Sequence, residues 1–199
     1  MIVAFVLYGV TMTGDAQMMV DSCKWHGYNV IQLGDEIAPE IKGVEHVIRA
    51  PMEKHHEELW RYKRLLEVPV PFVSIDVDAL VVKDIADGFD DRYDACLTER
   101  GKSDMPFNSG VFFVHSQEFI AECVRLISEM DESRQAWMGG QIAMREIRDA
   151  GKLKIKSLPC EEWNNSKQIK PGSYAGARVL HFKGGKKHHM RAVYEERKP

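Results

Sequence analysis

Asp76 and Asp78 interrupt an otherwise apolar run, FVSIDVDALVV, over residues 72–82. Successive side chains of a strand point to opposite faces, so these carboxylates are expected on one face, with Cα atoms roughly 6.5–7 Å apart. Two like charges beside an apolar layer are costly unless something neutralises them. A same-face D-x-D pair suits three tasks: holding a hard divalent cation, sharing a proton as an acid/base pair, or pairing with Lys or Arg. The residue pattern alone leaves all three open, beside a plain solvated strand end.

Three other stretches bear on the choice. In MPFNSGVFFVH, Asn108, Ser109 and Gly110 read as a turn directly before an apolar strand. An Asn side chain offers a donor and an acceptor to sugar hydroxyls. In HFKGGKKHHM, His181 offers an imidazole to a metal, and Lys186 and Lys187 offer positive charge to phosphate. Gly184 and Gly185 would let backbone approach a pyrophosphate closely. From Lys183 onward six Lys/Arg stand against two Glu, a balance of +4, which also fits a frayed basic tail. Gln141 follows two glycines at the expected start of a helix. His55 and His56 are neighbours on an expected helix, do not share a face, and read as solvated.

The elements that must position these residues follow from periodicity and punctuation. MIVAFVLYG is a first strand, and TGDAQMMVDSCKWHG a helix with Thr13 as N-cap and Gly27 as its stop. YNVIQLG and VEHVIRA are strands; EKHHEELWRYKRLLE is an amphipathic helix ended by Pro69 and Pro71. The D-x-D run is the next strand, followed by DACLTER, a polar turn GKSDMP and GVFFVH. Helices are expected at SQEFIAECVRLISEM and GQIAMREIRDAG, and short strands at KIKSLP and ARVLHF. Strands alternating with helices predict an α/β domain with a mainly parallel sheet, whose ligands bind beyond the carboxyl ends of the strands. With 199 residues and no repeat or linker, one domain over 1–199 is expected.

Composition narrows the classes. A hydrophobic fraction of 44%, a charged fraction of 29% and a net charge of −3 are ordinary for a globular protein and give no case for nucleic-acid binding. No apolar run reaches the roughly 20 residues of a membrane span. The four cysteines form no C-x-x-C pair, which argues against a zinc cluster and fits reduced thiols in a cytoplasm.

Taken in order, these stretches resemble glycosyltransferase family 8, nucleotide-diphospho-sugar transferases of the GT-A fold, and more closely its short bacterial and phage members. The likeness runs from VAFVLYG to HFKGGKK. It implies a single Rossmann-like domain and a retaining transfer of a sugar from a UDP-linked donor to an unidentified acceptor hydroxyl. It implies that Asp76, Asp78 and His181 ligate Mn2+ or Mg2+, with Val77 between the aspartates lining the donor site. Lys187 and Gly184 would meet the diphosphate, Asn108 the donor sugar, and Tyr8, Gly9 and Val10 the nucleotide base. Arg61, Lys63 or Arg64 would supply the basic residue on the helix before the D-x-D, and Gln141 would support the reacting face. The basic segment 183–199 would close over the donor. Two departures stand out. His188 and His189 occupy the place of a frequent Pro-Trp. The family's Asp-Gln is Gly140-Gln141 here, so a carboxylate near the reacting sugar is missing. Rival readings are a nucleotide-sugar-binding protein without turnover and a metal-dependent phosphoryl or nucleotidyl transferase.

Overall fold

Alternate residues of the first strand enter two different cores, which sets the layering of the molecule. In β1 (Ile2–Leu7), Val3, Phe5 and Leu7 join one apolar cluster and Ala4 joins the other. A strand buried on both faces is central, so helices must cover both sides. The computed structural model describes all residues except 53–55, 102–103, 168, 170–171 and 173.

The main sheet has seven strands. They are β1, β2 (Asn29–Gly34), β3 (His46–Arg49), β4 (Phe72–Ile75), β6 (Ala95–Glu99), β7 (Phe107–Val114) and β8 (Ile155–Pro159), in spatial order β3-β2-β1-β4-β7-β6-β8. The pairings among β3, β2, β1 and β4 are parallel, as is β6 with β8; β7 runs antiparallel to both its neighbours. A separate antiparallel pair joins β5 (Ala79–Val81) to β9 (Val179–His181). One face of the sheet carries α1 (Thr13–Trp25) and α7 (His188–Arg197). The other carries α2 (Glu57–Leu65), α3 (Gln117–Ser128) and α5 (Gly139–Ala150). Short helices α4 (Glu132–Ala136) and α6 (Cys160–Trp163) complete the α-helices among the described residues. The fold is thus α/β with a mainly parallel central sheet flanked by helices, as the alternation of strands and helices predicted.

The structure corrects four local expectations. The FVSIDVDALVV run is not one strand. The ladder to β7 stops where the Asp76 amide donates to the Gly110 carbonyl at 2.9 Å, and the chain turns through Val77 and Asp78 before re-forming as β5. Two carboxylates inside a doubly covered strand would have no partner, and the turn carries them off the end of the sheet. Asn108, Ser109 and Gly110 are not a turn before β7 but a buried part of it. Thr13 lies inside α1, whose N-cap position is Met12, and its hydroxyl donates to the Val10 carbonyl at 2.7 Å. The C-terminal residues form a helix rather than a frayed tail: Met190 and Val193 are buried, and Tyr194 stacks on Trp25 and donates to Asp21 at 2.7 Å.

Candidate active site

Strand register brings the aspartates and the histidine together. The β5–β9 pairing sets Ala79 opposite His181, and the Phe182 amide donates to the Asp78 carbonyl at 2.7 Å. The β4–β7 pairing puts Asp76 beside Gly110. Gly110 is the floor under the His181 ring: a Cβ there would lie 2.2 Å from Cε1 and 2.4 Å from Nδ1. Only glycine leaves room for the imidazole to reach the two carboxylates.

Hydrogen bonding fixes the ring. Asn164 donates through Nδ2 to Thr98 Oγ1 at 2.9 Å and to the Asn108 carbonyl at 3.3 Å, so its Oδ1 faces His181 Nδ1, at 2.8 Å. An amide oxygen only accepts, so Nδ1 carries a proton. Nε2 lies 3.0 Å from Asp78 Oδ1 and 3.6 Å from Asp76 Oδ2. A neutral ring sets a nitrogen lone pair against two carboxylates, which repel it unless a proton or a cation lies between. One ligand atom from each of the three residues can be chosen so that all lie within 4.8 Å of one another. Adjacent ligands on an octahedral ion with bonds of about 2.1 Å are themselves about 3 Å apart. Two carboxylate oxygens and an imidazole nitrogen, with the second ring nitrogen anchored by an amide, form a donor set that a divalent cation could use.

Cations surround the cluster. Arg61, 7% exposed, sits 3.1 Å from Asp76 Oδ1 and donates to Ser74 Oγ and the Ser109 carbonyl at 3.1 and 3.0 Å. Lys187 Nζ lies 3.5 Å from Asp78 Oδ2. Burial pushes the Asp78 carboxyl up, but when the ring carries a second proton, at Nε2, the hydrogen bond and charge of His181, with Lys187, outweigh it and hold it below the usual carboxylate range. Lys183 donates to Asn108 Oδ1 at 2.8 Å, and burial pulls its ammonium below the ordinary lysine value despite Asp76 and Asp78.

The remaining sequence-derived residues divide. Asn108 is buried, and its Oδ1 also accepts from the Gly110 amide. Gln141 lies in the first turn of α5 and accepts through Oε1 from Arg100, which also donates to the Phe107 carbonyl at 2.7 Å. Gly9 has φ +57, and its amide donates to buried Asp35 at 2.9 Å. Exposed Val10 follows it, with Ile37 close by. Tyr8 donates to the Glu57 carbonyl and packs edge-on against Trp60. Val77 packs on the core from the turn, and Gly184 takes φ +56 in a short 3-10 turn. Lys63 and Arg64 are not in the cluster: they line a separate hollow with Pro51, His56 and Trp60, and Arg64 pairs with Glu67. Lys186 donates to the carbonyls of Ser166 and Lys167. His55 lies outside the described residues, and His56 precedes α2.

Sequence reasoning missed Asn164, Arg100, Lys183 and Asp35. Lys183 was visible within HFKGG, whereas the side-chain contacts of Asn164 and Arg100 span 7 to 66 residues and form only on folding.

Comparison with solved structures gives the fold a name. A glycosyltransferase involved in glycosylation of the major capsid of PBCV-1 aligns with a TM-score of 0.71 at 18% identity, over 96% of this chain and 99% of that one. The chain has a glycosyltransferase fold. GlyE of Streptococcus pneumoniae TIGR4 aligns with a TM-score of 0.68 at 14% identity, over 98% of this chain, which spans 60% of GlyE. A nucleoside-diphosphate-sugar pyrophosphorylase of Vibrio cholerae RC9 aligns at 0.56 and 10% identity, over 96% of this chain and 100% of that one. No protein-family model matches the sequence. No curated protein matches it either. The glycosyltransferase fold agrees with the architecture implied by the sequence resemblance. Among the described residues no helix is long and apolar enough to cross a membrane, and all four cysteines are buried free thiols.

Proposed function

We propose that this chain is a metal-dependent glycosyltransferase that moves a sugar from a UDP-linked nucleotide-diphospho-sugar to an acceptor hydroxyl, with retention at the anomeric carbon. The observation that carries this reading is the convergence of Asp76, Asp78 and His181 Nε2, with the ring tautomer set by Asn164. Mn2+ or Mg2+ held by these three residues would neutralise the charge that develops on a departing diphosphate. Arg61 holds Asp76 in place from the buried side, and Lys187 adds positive charge at the opposite edge. Asn108, buried and bonded by Lys183, and the half-buried Gln141 would offer amides to sugar hydroxyls, and Gln141, steadied by Arg100, supports the face attacked by the acceptor. Exposed Val10 and Ile37 offer apolar surface to the nucleotide base beside Gly9 and Tyr8. The basic segment 183–199 closes over the donor, anchored by the packing of α7 on α1.

The test is release of UDP from UDP-sugars with and without Mn2+. Metal-dependent release by the native chain and its loss in Asp78→Ala are expected; full activity in that variant contradicts the reading. Gly140, at the place of the family's aspartate, favours a second reading, a nucleotide-sugar-binding protein without turnover. Saturable UDP binding with no release under any donor would establish it. Formation of pyrophosphate from UTP and a sugar phosphate would replace both with nucleotidyl transfer.

A further inference from the structure

The space beside Gly140 is already filled by a carboxylate. A Cβ at position 140 would lie 2.6 Å from Glu58 Oε2 and 2.5 Å from both Cε2 and the hydroxyl of Tyr62. The Gly140 amide donates to Glu58 Oε2 at 3.2 Å. Glu58 lies one helical turn before Arg61 on α2, and its Oε1 is 3.9 Å from Arg61 Nη1, the atom that lies 3.1 Å from Asp76 Oδ1. One guanidinium therefore stands between Glu58 and a metal-site aspartate, and the hydrogen-bond partner of Glu58, Gly140, directly precedes Gln141. The Glu58 side chain retains 16% exposure.

We propose that Glu58 is the sugar-facing carboxylate of this site, delivered from α2 into the space that a side chain at position 140 would occupy. The proposal rests on the donor site described above. With a diphosphate held at Asp76, Asp78 and His181, the attached sugar would reach Glu58 past Arg61, next to the first turn of α5 that carries Gly140 and Gln141. A carboxylate there accepts hydrogen bonds from sugar hydroxyls, each stronger than one to a neutral acceptor. From α2, Glu58 also meets the first turn of α5, where a negative charge complements the amides of a helix whose Met138 N-cap position makes no side-chain cap. Burial pushes its carboxyl up and Asp76 adds to that; Arg61 and the Gly140 amide offset only part of the rise. Gly140 is thus the counterpart of Glu58: an aspartate at 140 and a glutamate at 58 compete for one space.

Glu58→Gln tests this, because the amide keeps its size and an oxygen for the Gly140 amide while losing the charge. Binding of UDP and of UDP-glucose, UDP-galactose and UDP-N-acetylglucosamine is measured with Mn2+ by thermal shift and calorimetry, beside UDP release. In the native chain one sugar donor is expected to bind more tightly than UDP. In Glu58→Gln that increment and the turnover are expected to fall at least ten-fold, with UDP affinity and the melting temperature of the free protein unchanged. A residue that only caps α5 would leave the difference between UDP and UDP-sugar intact, and that result overturns the proposal. It is equally overturned if the native chain binds UDP but gains nothing from any of these sugars. A native chain that binds no UDP with Mn2+ instead rejects the donor site itself, and this proposal with it.

Discussion

Two sites built on aspartates differ in what they leave unsatisfied. At Asp90, Arg92 donates to both carboxylate oxygens, at 2.8 and 2.7 Å, and Lys156 adds a third bond at 2.9 Å. Those bonds hold the Asp90 carboxyl well below its ordinary range, and the cluster closes on itself. At Asp76 and Asp78 the facing group is His181 Nε2, a lone pair when Nδ1 alone carries the ring proton. Arg61 and Lys187 stand on the flanks and not between the three. A cluster whose carboxylates are matched by donors is finished as a structural element. One whose acceptors converge on each other is built for a cation brought from outside.

Substitutions can break that contrast in order of size. Gly110→Ala should have the largest effect, because the new methyl meets the His181 ring at 2.2 Å and must displace it. Loss of UDP release by at least a hundred-fold is expected, with overpacking costing about 1–3 kcal/mol of stability. Wild-type turnover in this variant would show that His181 has no part. Asn164→Ala should come next: without its amide the ring loses tautomer and orientation, and the apparent Mn2+ affinity should drop about 10–100-fold, read by metal titration of UDP release. Lys187→Ala should raise the KM for the donor several-fold, whereas Lys63→Ala, in the separate hollow, should leave kinetics unchanged. Equal effects would mean that the two lysines share a role their positions do not suggest. Asp90→Asn should be smallest, leaving Mn2+ and donor constants at wild-type values while breaking only the contacts to Arg92 and Lys156.

The legible part of the site was the part written in residue type. Two aspartates in an apolar run, and a histidine followed by glycines and lysines, carry their chemistry in the sequence. The alternation of strands and helices likewise gave a layered sheet whose carboxyl-end edge holds the turn at Asp76–Asp78. What stayed hidden depends on contacts that only folding creates. The strand was expected to run through both aspartates because apolar residues flank them. Desolvation of two carboxylates between helical layers outweighs β propensity there, and the chain leaves the sheet. Asn108 to Gly110 read as a turn by composition, yet they are buried at the start of the longest strand. Arg61, Lys63 and Arg64 were equivalent by charge. Helical phase separates them, since one faces the core and the others line the outer hollow. Glu58 was readable as the residue three before Arg61, but its meeting with Gly140 spans 82 residues.

The central claim is that Asp76, Asp78 and His181 bind a divalent cation together with a nucleoside diphosphate. Calorimetric titration of Mn2+ into the native chain with saturating UDP, repeated on Asp78→Asn, tests it most directly. Saturable binding at one ion per chain in the native protein, lost in Asp78→Asn without a fall in the melting temperature of the free protein, is the expected result. Absence of Mn2+ binding in the native chain, or equal binding in the variant, would contradict it.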